Sequence, residues 1–177
     1  MATCSFDFAV RVLGVLIAAP LLAGCLVSED DLYRAAPVSV QIDDGRYDVQ
    51  TREQGGSFTL KDRITVQATD NFAGVARDEN GDFFLFGIHD IGDGYYIAAN
   101  EVRGLHFRYI LLRPGRDAIL GWSMECFSIQ DLGLDQKYDI ESDFLNCTVS
   151  DRETLEAAAI EIAENEVPDF RIIPSAE

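Results

Sequence analysis

The chain has 177 residues, 47% of them hydrophobic and 10% aromatic, and its 31 acidic and 14 basic side chains give a net charge of −17. The apolar and aromatic fractions are those of a folded protein and exclude a largely disordered chain. The negative charge repels phosphate backbones and anionic headgroups, so we expect no nucleic-acid partner. Excess surface carboxylate of this kind keeps a small protein soluble.

The first 25 residues have the order of a secretory signal. Arg11 precedes an apolar run from Val12 to Leu22, and small residues follow. The run is shorter than the roughly 20 apolar residues that a membrane-spanning helix needs. Its end, Leu22-Ala23-Gly24-Cys25, resembles the lipobox of bacterial lipoprotein precursors. The resemblance implies that residues 1–24 are a signal peptide and that Cys25 is acylated; a plain secretory signal and a membrane span are the alternatives.

The same resemblance implies a location. The protein would be lipid-anchored in the bacterial cell envelope through Cys25. Leu26 stands where an aspartate would favour retention at the inner membrane, so we expect the outer membrane, facing the periplasm. Residues 25–37 show no clear periodicity and are predicted to form the lipidated cysteine and a tether of about 40 Å. Leu32 and Tyr33 are the tether residues that could dock on the domain.

Residues 38–177 are predicted to form a single β-rich domain, because most of this part has the two-residue alternation of half-buried strands. Asn80-Gly81 and Pro114-Gly115 are among the turn signals that separate neighbouring strands. Phe83 to Phe86 is apolar without alternation, which predicts a strand buried on both faces. The predicted strands are Val38–Asp43, Arg46–Gln50, Ser57–Leu60, Ile64–Thr69, Gly74–Arg77, Asp82–His89, Tyr95–Glu101, His106–Arg113 and Ala118–Glu125.

The last part of the chain changes to helical spacing. Ser150 to Glu153 matches a capping box, and the following apolar residues recur on one helical face, which predicts a helix near 151–165. A short strand is predicted at Phe170–Ile173. The fold class is therefore mainly β (α+β): an antiparallel β-meander or incomplete barrel of about eight strands with one C-terminal α-helix.

The four cysteines divide by position. Cys4 belongs to the signal peptide and Cys25 is the lipidation candidate, which leaves Cys126 and Cys147 as a pair in an oxidising compartment. We predict a disulfide between them, with a stabilisation of about 3 kcal/mol. Two cysteines and two distant histidines do not make a zinc pattern, so no metal and no cofactor are predicted.

Motifs for catalysis or cation binding are weak. The segment Asp78 to Asp82 resembles part of a calcium loop, but a hairpin turn explains it. Gly121 to Glu125 approaches a nucleophile elbow but lacks the last glycine, and Ser123 falls within a predicted strand. The predicted loop 131–144 is a more open cation possibility, since it carries Asp131, Asp135, Asp139, Glu141 and Asp143.

Three functions follow in order of preference. The first is a non-enzymatic interaction or structural module of the envelope, with an envelope protein as partner. The alternative is a small barrel protein that binds an apolar ligand, as lipocalin-like folds do, although no lipocalin motif is present. The third is a hydrolase using His89 or His106 as general base. The ligand hypothesis depends on aromatic residues that ordinarily form a core: Phe83, Phe84, Phe86, Tyr95, Tyr96, Phe107, Tyr109 and Trp122.

Overall fold

The computed structural model describes residues 26–34, 36, 38–39, 42–69, 74–81, 83–102, 106–143 and 146–176. The predicted signal peptide, residues 1–24, and Cys25 lie outside the described residues. The strands in this part are β1 (Leu26–Ser28), β2 (Gly45–Arg52), β3 (Phe58–Gln67), β4 (Gly74–Asp78), β5 (Phe83–Gly92), β6 (Tyr95–Val102), β7 (His106–Pro114), β8 (Ile119–Ser123), β9 (Glu141–Ser142), β10 (Cys147–Thr148) and β11 (Phe170–Pro174). The helices are α1 (Cys126–Asp131), α2 (Leu134–Tyr138) and α3 (Arg152–Asn165).

Eight of these strands pair into a closed ring, called the strand ring below. Its order is β6-β5-β4-β3-β2-β11-β8-β7, and β7 pairs again with β6. Every pairing in the ring is antiparallel. Strands β2 to β8 follow one another as a meander, and β11 fills the gap between β8 and β2. The predicted fold class is confirmed, including the C-terminal helix.

Strand β1 and the helices lie on one side of the strand ring. β1 pairs antiparallel with β7 and parallel with β10, and β10 pairs with β9. The outward side chains of the ring on this side, such as Ile97 and Leu111, are fully buried in a core with the apolar face of α3. That face is the predicted one: Leu155, Ala158, Ala159 and Ile162.

A second core fills the interior of the strand ring. Because successive side chains of a strand point to opposite faces, Ala98 and Leu112 point inward while Ile97 and Leu111 point outward. Phe170 of β11 also lies inside, and its ring covers Gly121 of β8. A Cβ atom at position 121 would lie 2.1 Å from Cζ of Phe170, so only glycine leaves room for this ring.

The strand predicted at Val38–Asp43 is wrong for the four of its residues that the structure describes. Val38, Ser39, Ile42 and Asp43 are not in a strand, while residues 40 and 41 lie outside the described residues. Val38 and Ile42 pack against the interior core, and the Ser39 amide donates to the Ile88 carbonyl at 2.8 Å. Both ladder positions beside β2 are already taken, by β3 and β11.

Two details of the other strands also differ from the prediction. Residues 57–60 and 64–69 belong largely to one strand, β3, whose register against β2 shifts between Val49 and Gln50. The segment Phe83 to Phe86 was predicted to be buried on both faces of the sheet. This prediction is wrong for Leu85, which points outward and is 40% exposed, whereas Phe86 is buried inside the strand ring. The reason is that the outer side of β5 at this level is not covered by the helices.

The segment 131–144, predicted to be an acidic loop, is partly helical. It contains the end of α1, all of α2 and strand β9. The buried residues Ile129 and Leu134 explain why this segment folds onto the domain. Helix α3 matches the predicted range, but its N-cap is Asp151 rather than Ser150, and the Asp151 carboxylate accepts from the Thr154 amide at 2.8 Å.

The described part of the predicted tether, residues 26–34 and 36, is folded onto the domain and is called the N-terminal segment below. Leu26 is fully buried in β1, and Tyr33 is 2% exposed. The prediction of an extended tether therefore differs from the structure, because β1 occupies a ladder position between β7 and β10. Among the described residues no helix has the length and apolar character needed to cross a membrane.

Candidate interaction face and anchor region

The N-terminal segment is fixed by backbone hydrogen bonds at its first described residue. The Leu26 amide donates to the Met124 carbonyl at 2.8 Å, and the Val149 amide donates to the Val27 carbonyl at 2.9 Å. Since Cys25 directly precedes Leu26, the lipidation candidate is one residue from strand β1, which pairs with β7 on one side and β10 on the other. Cys25 itself lies outside the described residues.

Tyr109 of β7 holds the middle of the N-terminal segment. Its hydroxyl is 2.6 Å from Ser28 Oγ and accepts from the Leu32 amide at 3.2 Å. Ser28 is 1% exposed, so this is a buried polar contact with its partners in place. Burial raises the pKa of the Tyr109 hydroxyl above its ordinary value.

Tyr33 closes the segment over the outer side of the strand ring. Its ring stacks on His89 with centroids 4.5 Å apart, and its hydroxyl donates to Glu156 Oε1 at 2.9 Å. Arg152 lies over the same ring, 4.8 Å from its centroid, and donates to Glu156 at 2.5 Å. Burial, followed by the Glu156 contact, raises the pKa of Tyr33. The segment is thereby tied to α3 as well as to the sheet.

Cys126 and Cys147 form the predicted disulfide, with their Cα atoms 5.1 Å apart. The bridge joins the start of α1 to β10, and Cys147 is the register partner of Leu26 in β1. It therefore holds α1 close to the point where the N-terminal segment enters the sheet. No free cysteine is present among the described residues.

The outer surface on the far side of the strand ring carries an unusual share of the positive charge. Paired residues that point outward from β11, β2, β3 and β4 include Arg171 opposite Gln50, Arg63 opposite Asp48, and Arg77 opposite Thr65. Directly opposed residues of an antiparallel pair point to the same side. We name this surface the basic face; its cations are Arg46, Arg52, Arg63, Arg77 and Arg171.

Five of the fourteen basic residues of the chain are thus collected on four strands, beside the carboxylates Asp48 and Glu79. Arg63 contacts Asp48 at 3.2 Å and Glu79 at 3.8 Å. At the opposite end, Arg52 and Arg171 both lie over the ring of Phe58, at 5.3 and 4.7 Å from its centroid. These contacts hold guanidinium groups in place on an open sheet surface.

Apolar side chains lie among these cations. Leu60 of β3 is 48% exposed and Leu85 of β5 is 40% exposed, although both are large and hydrophobic. The sequence analysis did not predict that these cations would lie together on one face. The available signal was the recurrence of arginine at Arg46, Arg63 and Arg77, within or directly beside the predicted strands of a strongly acidic chain.

The interior of the strand ring holds a cavity of about 80 Å³. Its lining is mostly aliphatic, with Tyr47, Phe86 and Phe170 as aromatic members. Ligand pockets usually measure about 300 Å³ or more, so this space is small for a drug-sized ligand. The eight aromatic residues do not converge on it, because Tyr109 and Trp122 belong to the core outside the ring.

The structure does not bring the other candidate residues into one reactive site. His89 is 5% exposed and stacked against Tyr33, and the side chain of His106 lies outside the described residues. Ser123 is the last residue of strand β8, two residues before Glu125 and α1, but β8 pairs antiparallel on both sides and does not belong to the α/β sheet that a nucleophile elbow needs. Asp135 accepts from Ser142 at 3.1 Å. Within the described ranges no group of three or more histidine, cysteine or acidic residues could hold a metal ion.

A half-buried carboxylate, Asp169, lies where β11 begins. Asp169 accepts from the Ser123 amide at 2.7 Å, and its own amide donates to the Gly121 carbonyl at 2.9 Å. Burial raises the pKa of Asp169, and the nearby Glu166 adds to this. These contacts place Asp169 as the connection between β8 and β11, a structural role.

Comparison of the chain with protein-family models, curated proteins and solved structures gave no match.

Proposed function

We propose that this protein is a lipid-anchored, non-enzymatic interaction module of the bacterial cell envelope, acylated on Cys25, and that its basic face binds an acidic segment of an envelope protein. The anchor proposal is supported by the lipobox-like Leu22-Ala23-Gly24-Cys25. The outer membrane, on its periplasmic side, is the proposed location because Leu26 follows the cysteine.

The observation that carries the binding proposal is the separation of charge. Five cations lie on the basic face of a chain whose net charge is −17. Such a face attracts an acidic partner, while the remaining surface repels one, so the partner is oriented as it approaches. Leu60 and Leu85 supply exposed apolar area within or beside the same surface.

The binding proposal is tested by photo-crosslinking from position 60 in intact cells. The Leu60 side chain is replaced by a photoreactive phenylalanine, and captured proteins are identified by mass spectrometry. The expected result is one dominant envelope protein, crosslinked through an acidic peptide. Arg46→Gln with Arg77→Gln should lower the yield several-fold, and more salt should lower it further.

The matched control is Arg34→Gln with Arg116→Gln, which removes the same charge from exposed positions outside the basic face. The control should keep the yield. Equal loss in both double variants would mean that net charge, not the basic face, governs capture. The anchor is tested separately: Cys25→Ser should abolish palmitate incorporation and leave the precursor unprocessed.

Binding of a small apolar ligand inside the strand ring is the alternative. Its support is weaker, because the interior cavity is about 80 Å³. A ligand of ordinary size would require the ring to widen.

A further inference from the structure

Two large apolar side chains are more exposed than Leu60 and Leu85. Phe127 in α1 is 66% exposed and Val167, after α3, is 60% exposed. Ser128 Oγ donates to Glu166 Oε2 at 3.1 Å, and each of these two residues is the chain neighbour of one exposed side chain. Phe127 and Val167 therefore belong to the same region of the surface, the α1 side of the domain.

This region is close to the proposed lipid attachment. Leu26 is one strand spacing, about 4.8 Å, from Cys147. The Cα atoms of Cys147 and Cys126 are 5.1 Å apart, and Phe127 is the next residue along the chain. The Cα atoms of Leu26 and Phe127 are therefore separated by no more than about 14 Å.

The short distance matters because the backbone at Leu26 is held in strand β1 and cannot serve as a flexible spacer between Cys25 and the domain. This residue is fully buried, and its amide is bonded to the Met124 carbonyl. Acyl chains on Cys25 would begin one peptide step away and enter the bilayer beside the α1 side. An exposed aromatic ring beside such an anchor matches the second membrane contact that peripheral proteins use at the headgroup level.

We infer that the α1 side of the domain rests on the lipid bilayer, with Phe127 and Val167 inserted at the level of the headgroups. The inference rests on the proposed acylation of Cys25. It also orients the molecule: β3 is four strands from β7 in either direction around the strand ring, so the β3 part of the basic face lies on the opposite side of the ring from β1 and the helices.

Charge near these residues favours one type of bilayer. Glu125 and Asp131 lie at the two ends of α1, and Glu166 lies beside Val167. Carboxylates are repelled by anionic headgroups, so the contact is with zwitterionic lipid. Vesicles of phosphatidylcholine should therefore give closer contact than vesicles that also contain phosphatidylglycerol.

The test uses the full protein purified from membranes, with acylation of Cys25 checked by mass spectrometry of the N-terminal peptide. A photoreactive phenylalanine replaces Phe127 in one sample and Leu60 in the control, and both are reconstituted in phosphatidylcholine vesicles. The expected result is a several-fold higher yield of lipid adducts from position 127, lowered by phosphatidylglycerol. A third sample with the photoreactive residue at position 167 should behave like the first.

The outcomes separate the two proposals. Equal or absent lipid adducts at positions 127 and 60 in acylated protein would overturn the orientation and leave the anchor proposal standing. A protein crosslinked at position 127 in place of lipid would do the same. An N-terminal peptide without acyl chains would remove the premise and overturn both proposals.

Discussion

Gly121→Ala is expected to be among the most destabilising substitutions of a single methyl group in this protein. The new Cβ would lie 2.1, 2.3 and 2.7 Å from three carbons of the Phe170 ring. Phe170 is 3% exposed and packed inside the strand ring, so its ring can give way only towards the small interior cavity that it lines. Overpacking of a core costs about 1–3 kcal/mol, and three short contacts with a buried ring place this case near the upper limit, about 3 kcal/mol.

Urea unfolding followed by circular dichroism measures the effect. With a slope of about 2 kcal/mol per molar urea, the midpoint should fall by about 1.5 M, with the slope itself unchanged. Gly55→Ala is the matched control, because this glycine lies in an exposed turn and a Cβ there would meet nothing within 4 Å. Its effect should stay within about 0.5 kcal/mol.

The reasoning also predicts a coupling. Phe170→Leu removes the ring that the added methyl group strikes, so Gly121→Ala should cost less in that background than in the wild type. Equal midpoints for Gly121→Ala and Gly55→Ala would refute the argument. So would strictly additive effects of the substitutions at positions 121 and 170.

Three further predictions concern the described contacts. Replacing Cys126 and Cys147 by alanine should lower the free energy of unfolding by about 3 kcal/mol, and a reductant should lower the melting temperature of the wild type only. Tyr33→Phe should cost about 1 kcal/mol in thermal unfolding, since it removes a buried hydroxyl donor, and an unchanged melting temperature would contradict this. Burial raises the pKa of Asp169 in the folded state above its ordinary value of 3.8. The folded state therefore binds more protons, and the Asp169 contribution to stability should fall as pH rises from about 4 through the raised pKa. Asp169→Asn keeps an acceptor for the Ser123 amide and should flatten that part of a pH–stability curve; an unaltered curve would count against the argument.

Local signals in the sequence predicted the strand ring well. Alternation and turn residues act over a few neighbours, and they located most strands and helix α3 within one or two residues. Closure of the ring is different, because it pairs Phe170 with Thr51 and depends on contacts far apart in the chain. No pattern within either strand specifies that pairing.

The errors have the same origin. Val38–Asp43 alternates as a strand should, but the ladder positions beside β2 are filled by β3 and β11, so Val38 and Ile42 pack as coil. Leu26–Ser28 is too short to show alternation, yet it forms a strand because β7 and β10 offer partners. In both segments tertiary contacts, not the local sequence pattern, determined whether a strand formed.

The candidate surfaces were harder to predict than the fold. Cys126 and Cys147 could be paired by elimination, and the disulfide is present. The basic face could not be assembled in the same way, because Arg46, Arg77 and Arg171 come from three strands whose neighbours are known only from the register. The proximity of Phe127 to Leu26 likewise depends on the pairing of β1 with β10 and on the disulfide.

The place of β11 in the strand ring has a consequence for folding. Until this C-terminal strand inserts, β2 and β8 each present an unpaired edge, and such edges are sites of intermolecular pairing. Closing the ring brings together residues separated by most of the domain, which is a slow, entropically costly step. A chain shortened before Phe170 would keep the meander but expose two open edges, so aggregation rather than simple loss of stability should mark its failure.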